Sequence, residues 1–186
     1  MVLHDGLLLL GGVVVLYLYD SALLLYHNEI VVIGGRKGCR VSGGSSFEFR
    51  GRRVFLPLPL CPHQPLFRLS WPEDGVFEGR TQTLRYRRTR MALAALAPWM
   101  WLLLILFVAG LPYALFVSRD VAALLMWIVA VYSVILATLA QVYVSRKALH
   151  LSARAVASLA MDALLCVPFA LNIVRKIGLR DRKSVV

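Results

Sequence analysis

The stretch MALAALAPWMWLLLILFVAGLPYALFVSRDVAALLMWIVAVYSVILATLAQVYVS, residues 91–145, decides the fold. Ala92 to Val117 runs for 26 residues without a charged side chain. Ser118-Arg119-Asp120 interrupts it, and Val121 to Val144 adds 24 more uncharged residues. A bilayer core about 30 Å thick needs about 20 apolar helical residues to cross. Each run is long enough, and a three-residue break suits only a tight turn. The reading is an antiparallel transmembrane hairpin over residues 91–145. Soluble helices carry a polar stripe at a period near 3.6, and neither run has one.

Working outward, residues 6–26 form a third apolar run, GLLLLGGVVVLYLYDSALLLY, with only His4 and Asp5 before it. A secretory signal opens with positive charge, so this run reads as a retained first transmembrane helix. Asp20 falls at its interfacial end. Residues 155–174 give a fourth mostly apolar run containing Asp162, Pro168 and Asn172. At 1.5 Å per residue it is long enough to cross, although a re-entrant path would leave three spans. Between the hairpin and this run, residues 146–154 hold Arg146, Lys147, His150 and Arg154, and read as a basic amphipathic linker. The tail, 175–186, is also basic. Four full spans would place it on the opposite side from the other basic residues, against the positive-inside bias.

Residues 27–90 have a different texture. Glu29-Ile-Val-Val-Ile33 is β-branched, and Gly34–Gly38 and Gly43-Gly44 read as turns. Phe47–Arg50 and Arg53–Leu56 alternate, with Gly51-Arg52 expected as a type II′ turn. Prolines 57, 59, 62 and 65 follow in LPLPLCPHQPLF, a density that excludes helix or central strand and favours an extended crossing. Phe67–Trp71 is expected to return as a strand, Pro72–Gly75 as a turn and Gly79–Tyr86 as a last strand. The fold class is therefore an α-helical polytopic membrane protein of three or four spans. A small β-rich insertion, with its Pro-rich crossing, separates helices 1 and 2.

Charge supplies orientation. The chain carries 21 Lys and Arg against 10 Asp and Glu, net +11, and 12 of the basic residues lie in 27–90. Arg80, Arg85, Arg87, Arg88 and Arg90 cluster beside the second helix, which places the β-rich part in the cytoplasm. Arg85, Arg87, Arg88, Arg90, Arg146 and Lys147 are candidate contacts to anionic lipid headgroups or to a partner. Nucleic acid is the least favoured anionic partner. Seventeen arginines against four lysines suggest a GC-rich bacterial genome, and hence a bacterial inner membrane.

Chemistry-bearing patterns are few. No paired carboxylates, HExxH, P-loop or nucleotide fingerprint occurs, so no catalytic residue, metal or cofactor is assigned. Cys39, Cys61 and Cys166 have no metal-ligand spacing and imply no disulfide. Cys61-Pro62-His63 reads as a turn. The intramembrane polar candidates are Asp162, Asp20, Gln141 and Asn172, an ionised carboxylate being costly among apolar residues. Ala130, Ser133, Ala137 and Ala140 recur at helical spacing and form a small-residue packing stripe. The function read from these features is a non-catalytic accessory or assembly subunit of a larger membrane complex. The rivals are a transporter or membrane-embedded enzyme component working through Asp162, and an anionic-lipid-binding regulator.

Overall fold

The computed structural model describes residues 2–35, 38–70, 89–118 and 120–180. They form five helices and two small antiparallel sheets. Arg85, Arg87 and Arg88, the expected turn at Pro72–Gly75 and the expected strand at Gly79–Tyr86 lie outside the described residues.

Helix α1 (Val2–Ser21) is apolar on all sides from Gly6 to Leu16, after His4 and Asp5 in its first turn. It starts earlier and ends earlier than its apolar run implies, because Leu23–Leu25 leaves the helix as strand β1. The reason lies in pairing. Leu23, Leu24 and Leu25 face Phe55, Val54 and Arg53 across an antiparallel ladder, and Leu25 is wholly buried.

Strands β2 (Glu29–Gly35) and β3 (Gly38–Ser42) form a hairpin, and β6 (Leu66–Ser70) pairs with the other edge of β2. The second sheet has the order β1-β5-β4, where β4 is Glu48–Phe49 and β5 is Arg52–Phe55. The β4–β5 turn is one residue earlier than expected. Its central pair is Arg50-Gly51, both with positive φ (51° and 69°). That is the type I′ pattern rather than II′, with Gly at the second position and Arg50 taking the left-handed conformation. Leu25, Val31, Phe55 and Leu66 form a small core between the sheets, closed from outside by Leu179.

Two helices are long and apolar enough to cross a membrane by length and composition: α2 (Thr89–Ser118) and α3 (Val121–Val144). The apolar part of α1, Gly6–Ser21, is shorter. Helix α2 is α-helical over Ala97–Ile105 but widens to π geometry at Leu106–Gly110 and Tyr113–Ser118. Pro112 lacks an N–H, so the ladder here has a donor too few. The Leu106 carbonyl takes the Leu111 N–H within the π turn and also accepts from Trp127 Nε1–H of α3 at 2.7 Å, which ties the two helices together. Gly110 admits the indole, since a β-carbon there would stand 3.0 Å from the Trp127 ring. Asp120 caps α3 by accepting from the Ala122 N–H at 3.1 Å.

The C-terminal third departs most from expectation. Residues 145–150 are turns rather than an amphipathic helix, and Ser152 caps a new helix, α4 (Ala153–Leu165). Its Val156, Leu159 and Ala163 recur on one buried face. The chain then turns at Cys166, which is extended, into a 3₁₀ segment (Val167–Asn172) with Pro168 in its first turn, and on into α5 (Ile173–Arg180). Residues 155–174 are therefore not one continuous helix. Thirteen helical residues reach only about 20 Å.

Helix α5 packs directly on β6. A β-carbon at Gly178 would stand 2.3 Å from the Leu66 carbonyl oxygen, a backbone atom that cannot step aside. Gly178→Ala is expected to destabilise the protein by about 1–3 kcal/mol, the usual range for overpacking. Gly11, with nothing within 4 Å of its would-be β-carbon, is the control: Gly11→Ala should hold or slightly raise the thermal midpoint through helix propensity. Equal midpoints for the two variants would refute the close approach.

Candidate functional site: a polar junction around Arg175

The end of α1, the Pro-rich crossing and the start of α5 meet at one buried guanidinium. Arg175 is 2% exposed. Its Nη1 donates to the Tyr17 hydroxyl (3.2 Å), Ser21 Oγ (3.2 Å) and Asn172 Oδ1 (3.0 Å). Its Nη2 donates to the carbonyls of Leu58 (2.7 Å) and Cys61 (3.1 Å). Tyr17 donates in turn to the Pro59 carbonyl at 2.6 Å. Ser21 Oγ donates back to Tyr17 O at 2.7 Å, its own helix four residues earlier.

The local sequence explains this concentration. Pro57, Pro59 and Pro62 bring carbonyls without N–H groups, so the crossing carries more acceptors than donors. It makes two tight turns of its own, Cys61 N–H to Leu58 O and Gln64 N–H to Cys61 O, both at 3.2 Å. Arginine carries five donors and no acceptor. Tyr17 and Ser21, one helical turn apart, share a face of α1 and meet it there.

A second charge sits beside the first. Lys176 Nζ is 2.8 Å from Asp20 and 3.8 Å from Asp162, and lies 4.7 Å from the Phe169 ring centroid. Asn172 Nδ2 donates to Asp20 Oδ2 at 3.0 Å and so bridges the two basic residues. Of the polar residues singled out from sequence, Asp20, Asn172 and Asp162 gather here. Asp162 lies at the edge, its side chain 44% exposed. Gln141 stands apart on α3. Arg90 lines a cleft elsewhere, Arg146 lies over the Tyr143 ring at 4.5 Å, and Lys147 is exposed. The stripe residues Ser133 and Ala140 are exposed, Ala130 and Ala137 partly so, while α3 buries Val131, Val134, Ile135, Thr138, Leu139 and Val142.

Sequence reasoning missed Tyr17, Ser21, Arg175 and Lys176. The last two were counted as tail charge. The available signal was Asn172-x-x-Arg175-Lys176 closing an apolar run, opposite a helix end bearing Tyr17, Asp20 and Ser21.

Two clefts flank the junction. One, of about 660 Å³, lies between the crossing and the start of α2 and takes in His63, Gln64, Arg90 and Trp101. The His63 ring stacks on Trp101 with centroids 5.0 Å apart, and its Nδ1 is buried without a partner. The other, of about 250 Å³, includes Arg40, Ser42, Leu56, Leu58, Gln64 and Arg175. Among the described residues no group of three or more His, Cys, Asp or Glu could hold a metal. No protein-family model, curated protein or solved structure matches the chain.

Burial lowers the Arg175 pKa, opposed by the neighbouring Tyr17, yet a guanidinium stays charged in proteins. Replacing Arg175 with Met would take one of two donors from the Leu58 and Cys61 carbonyls and the guanidinium donor from Tyr17, Ser21 and Asn172. The expected loss is about 1–3 kcal/mol, as for buried polar groups left short of a partner. Arg175→Lys should recover only part, because an ammonium cannot fork to two carbonyls. Tyr17→Phe should cost about 1–3 kcal/mol through the unmet Pro59 carbonyl. Full stability in Arg175→Met, read by thermal unfolding, would refute the hub.

Burial also lowers the His63 pKa, and the Arg175 charge acts in the same direction. A folded pKa below the unfolded 6.5 gives stability that is complete above that value and is lost as pH falls through it. Thermal midpoints recorded from about pH 8 down to about pH 5 should fall less in His63→Gln than in the wild type. Parallel curves would show that His63 does not contribute.

Proposed function

We propose that the chain is a multi-pass protein of a bacterial inner membrane with its sheets on the cytoplasmic side, acting as a non-catalytic accessory or assembly subunit of a larger membrane complex. The observation that carries this reading is the outer face of α3. Only 22% of its most apolar window is buried within the chain. Leu125, Met126, Val129 and Leu136 face outward together with Ser133 and Ala140. In water such a surface would be costly, at about 25 cal/mol per Å²; in lipid it is at home. Small residues on a lipid-facing helix let a second helix approach closely, and among the described residues no helix of this chain covers Ser133 or Ala140.

The polar junction supports a structural role rather than a relay. Asp162 is nearly half exposed and lies within 3.8 Å of Lys176. Arg175 and Asn172 spend their hydrogen bonds on fixing the crossing to α1. The site holds elements together and leaves no nucleophile paired with a base.

Purification in mild detergent should bring down a second membrane subunit. Ser133→Leu combined with Ala140→Leu, both at exposed positions, should release that subunit while leaving the chain's own thermal midpoint unchanged. Asp162→Asn should leave the assembly intact. A monodisperse monomer without detergent, or a double variant that keeps its partner, would overturn this function.

A further inference from the structure

Arg175 is a buried cation without a counter-anion. None of the ion pairs among the described residues includes it. Its partners are hydroxyls, an amide and carbonyls, and its Nε–H has no acceptor at all. Desolvating an uncompensated charge costs several kcal/mol, and an anion placed nearby would offset much of that.

The place for one is the cleft of about 250 Å³ that Arg175 lines. The same cleft is lined by Arg40 of β3, an exposed guanidinium, with Ser42 and Gln64 adding a hydroxyl and an amide. An accessible guanidinium and neutral donors beside a buried positive charge suit a phosphate group, which accepts charge-assisted bonds on several oxygens.

The rim of the cleft says what carries the phosphate. Leu56 and Leu58 line it, and both are exposed, as is Leu60. These leucines alternate with Pro57 and Pro59, so the ridge offers few N–H groups. The carbonyls of Leu58, Pro59 and Cys61 are turned inward to Arg175 and Tyr17. An irregular segment can lie against acyl chains only when its backbone polar groups are met inside the protein, and at these three carbonyls they are.

We propose that this cleft is a phospholipid site, with the headgroup phosphate held by Arg40 over the buried, uncompensated charge of Arg175 and the acyl chains lying over Leu56, Leu58 and Leu60. The inference rests on the membrane reading above. It adds a defined lipid contact at the crossing, distinct from the diffuse attraction of juxtamembrane charge.

The test titrates the detergent-purified chain with phosphatidylglycerol and reads the thermal midpoint and the lipid retained in native mass spectrometry. The wild type should be stabilised and retain lipid. Arg40→Ala, at an exposed position, should need about fivefold more lipid, the worth of one interfacial arginine. Arg50→Asn, which removes an exposed charge in the β4–β5 turn outside the cleft, should match the wild type. Inorganic phosphate alone should leave the midpoint unmoved. Equal lipid dependence for the Arg40 and Arg50 variants, or no stabilisation by phosphatidylglycerol, would overturn the site. A full shift with inorganic phosphate would overturn the lipid as its source. Failure of the membrane reading looks different: the chain would stay monodisperse without any detergent.

Discussion

A surplus of acceptors meeting a surplus of donors holds this molecule together. The Pro-rich crossing brings carbonyls without matching N–H groups, and Arg175 brings five N–H groups without an acceptor. Neither is stable alone in a desolvated place. An unmet buried carbonyl costs about 1–3 kcal/mol, and an unmet buried guanidinium costs more. Brought together, they convert two liabilities into one joint. Tyr17, Ser21 and Asn172 draw α1 and the 3₁₀ turn into the same joint. The positions of the crossing, α1 and α5 are thus coupled through a single side chain.

The helix pair is tied by a smaller polar contact. The Leu106 carbonyl takes both the Leu111 N–H of its own π turn and the Trp127 indole N–H from α3. The Phe107 and Trp127 rings then meet edge to face, 5.6 Å apart. Such a contact fixes the register of α2 against α3 on one side. The other side of α3, with Ser133 and Ala140, is left open. Specific packing inside and a smooth small-residue surface outside are compatible because they occupy different faces of one helix.

The long apolar helices were legible in the sequence because uncharged length is a property of composition and survives any detail of packing. The β-rich texture of 27–70 was legible for a similar reason, through β-branched alternation and Gly turns. What escaped depended on partners far along the chain. Leu23–Leu25 reads as more helix until Phe55 is available to pair with it. The β4–β5 turn slid by one residue because either Gly51 register satisfies a primed turn, and only the ladder to Arg53 and Arg52 chooses between them. Arg175 looked like tail charge because hydropathy scores a residue by its type, whereas its burial is set by carbonyls 114 and 117 residues away. Asp162 drew attention as a lone acid in an apolar run, and Lys176, its neighbour across the turn, lay outside that run.

The break at Cys166 also removes the conflict that the basic tail posed. Counted by hydropathy, residues 155–174 would carry Arg175 and Lys176 to the far side of a membrane. In the fold, Asn172 and Arg175 return to the end of α1, and Gly178 lies against Leu66 of β6. The segment therefore begins after α3 and finishes beside the sheets. Within the proposed membrane arrangement α1, α2 and α3 are the crossing elements, while residues 153–180 dip in beside α3, where the Leu164 carbonyl accepts from the mid-helix Tyr132 hydroxyl, and return to the β-rich part. Arg40, Arg68, Arg146, Arg175 and Lys176 then share one side, as the positive-inside bias asks. The joint at Arg175 accounts for this economically: a guanidinium that must satisfy the carbonyls of Leu58 and Cys61 cannot also cross to the opposite face. Hydrogen bonding, rather than apolar length, decides where the C-terminal third lies.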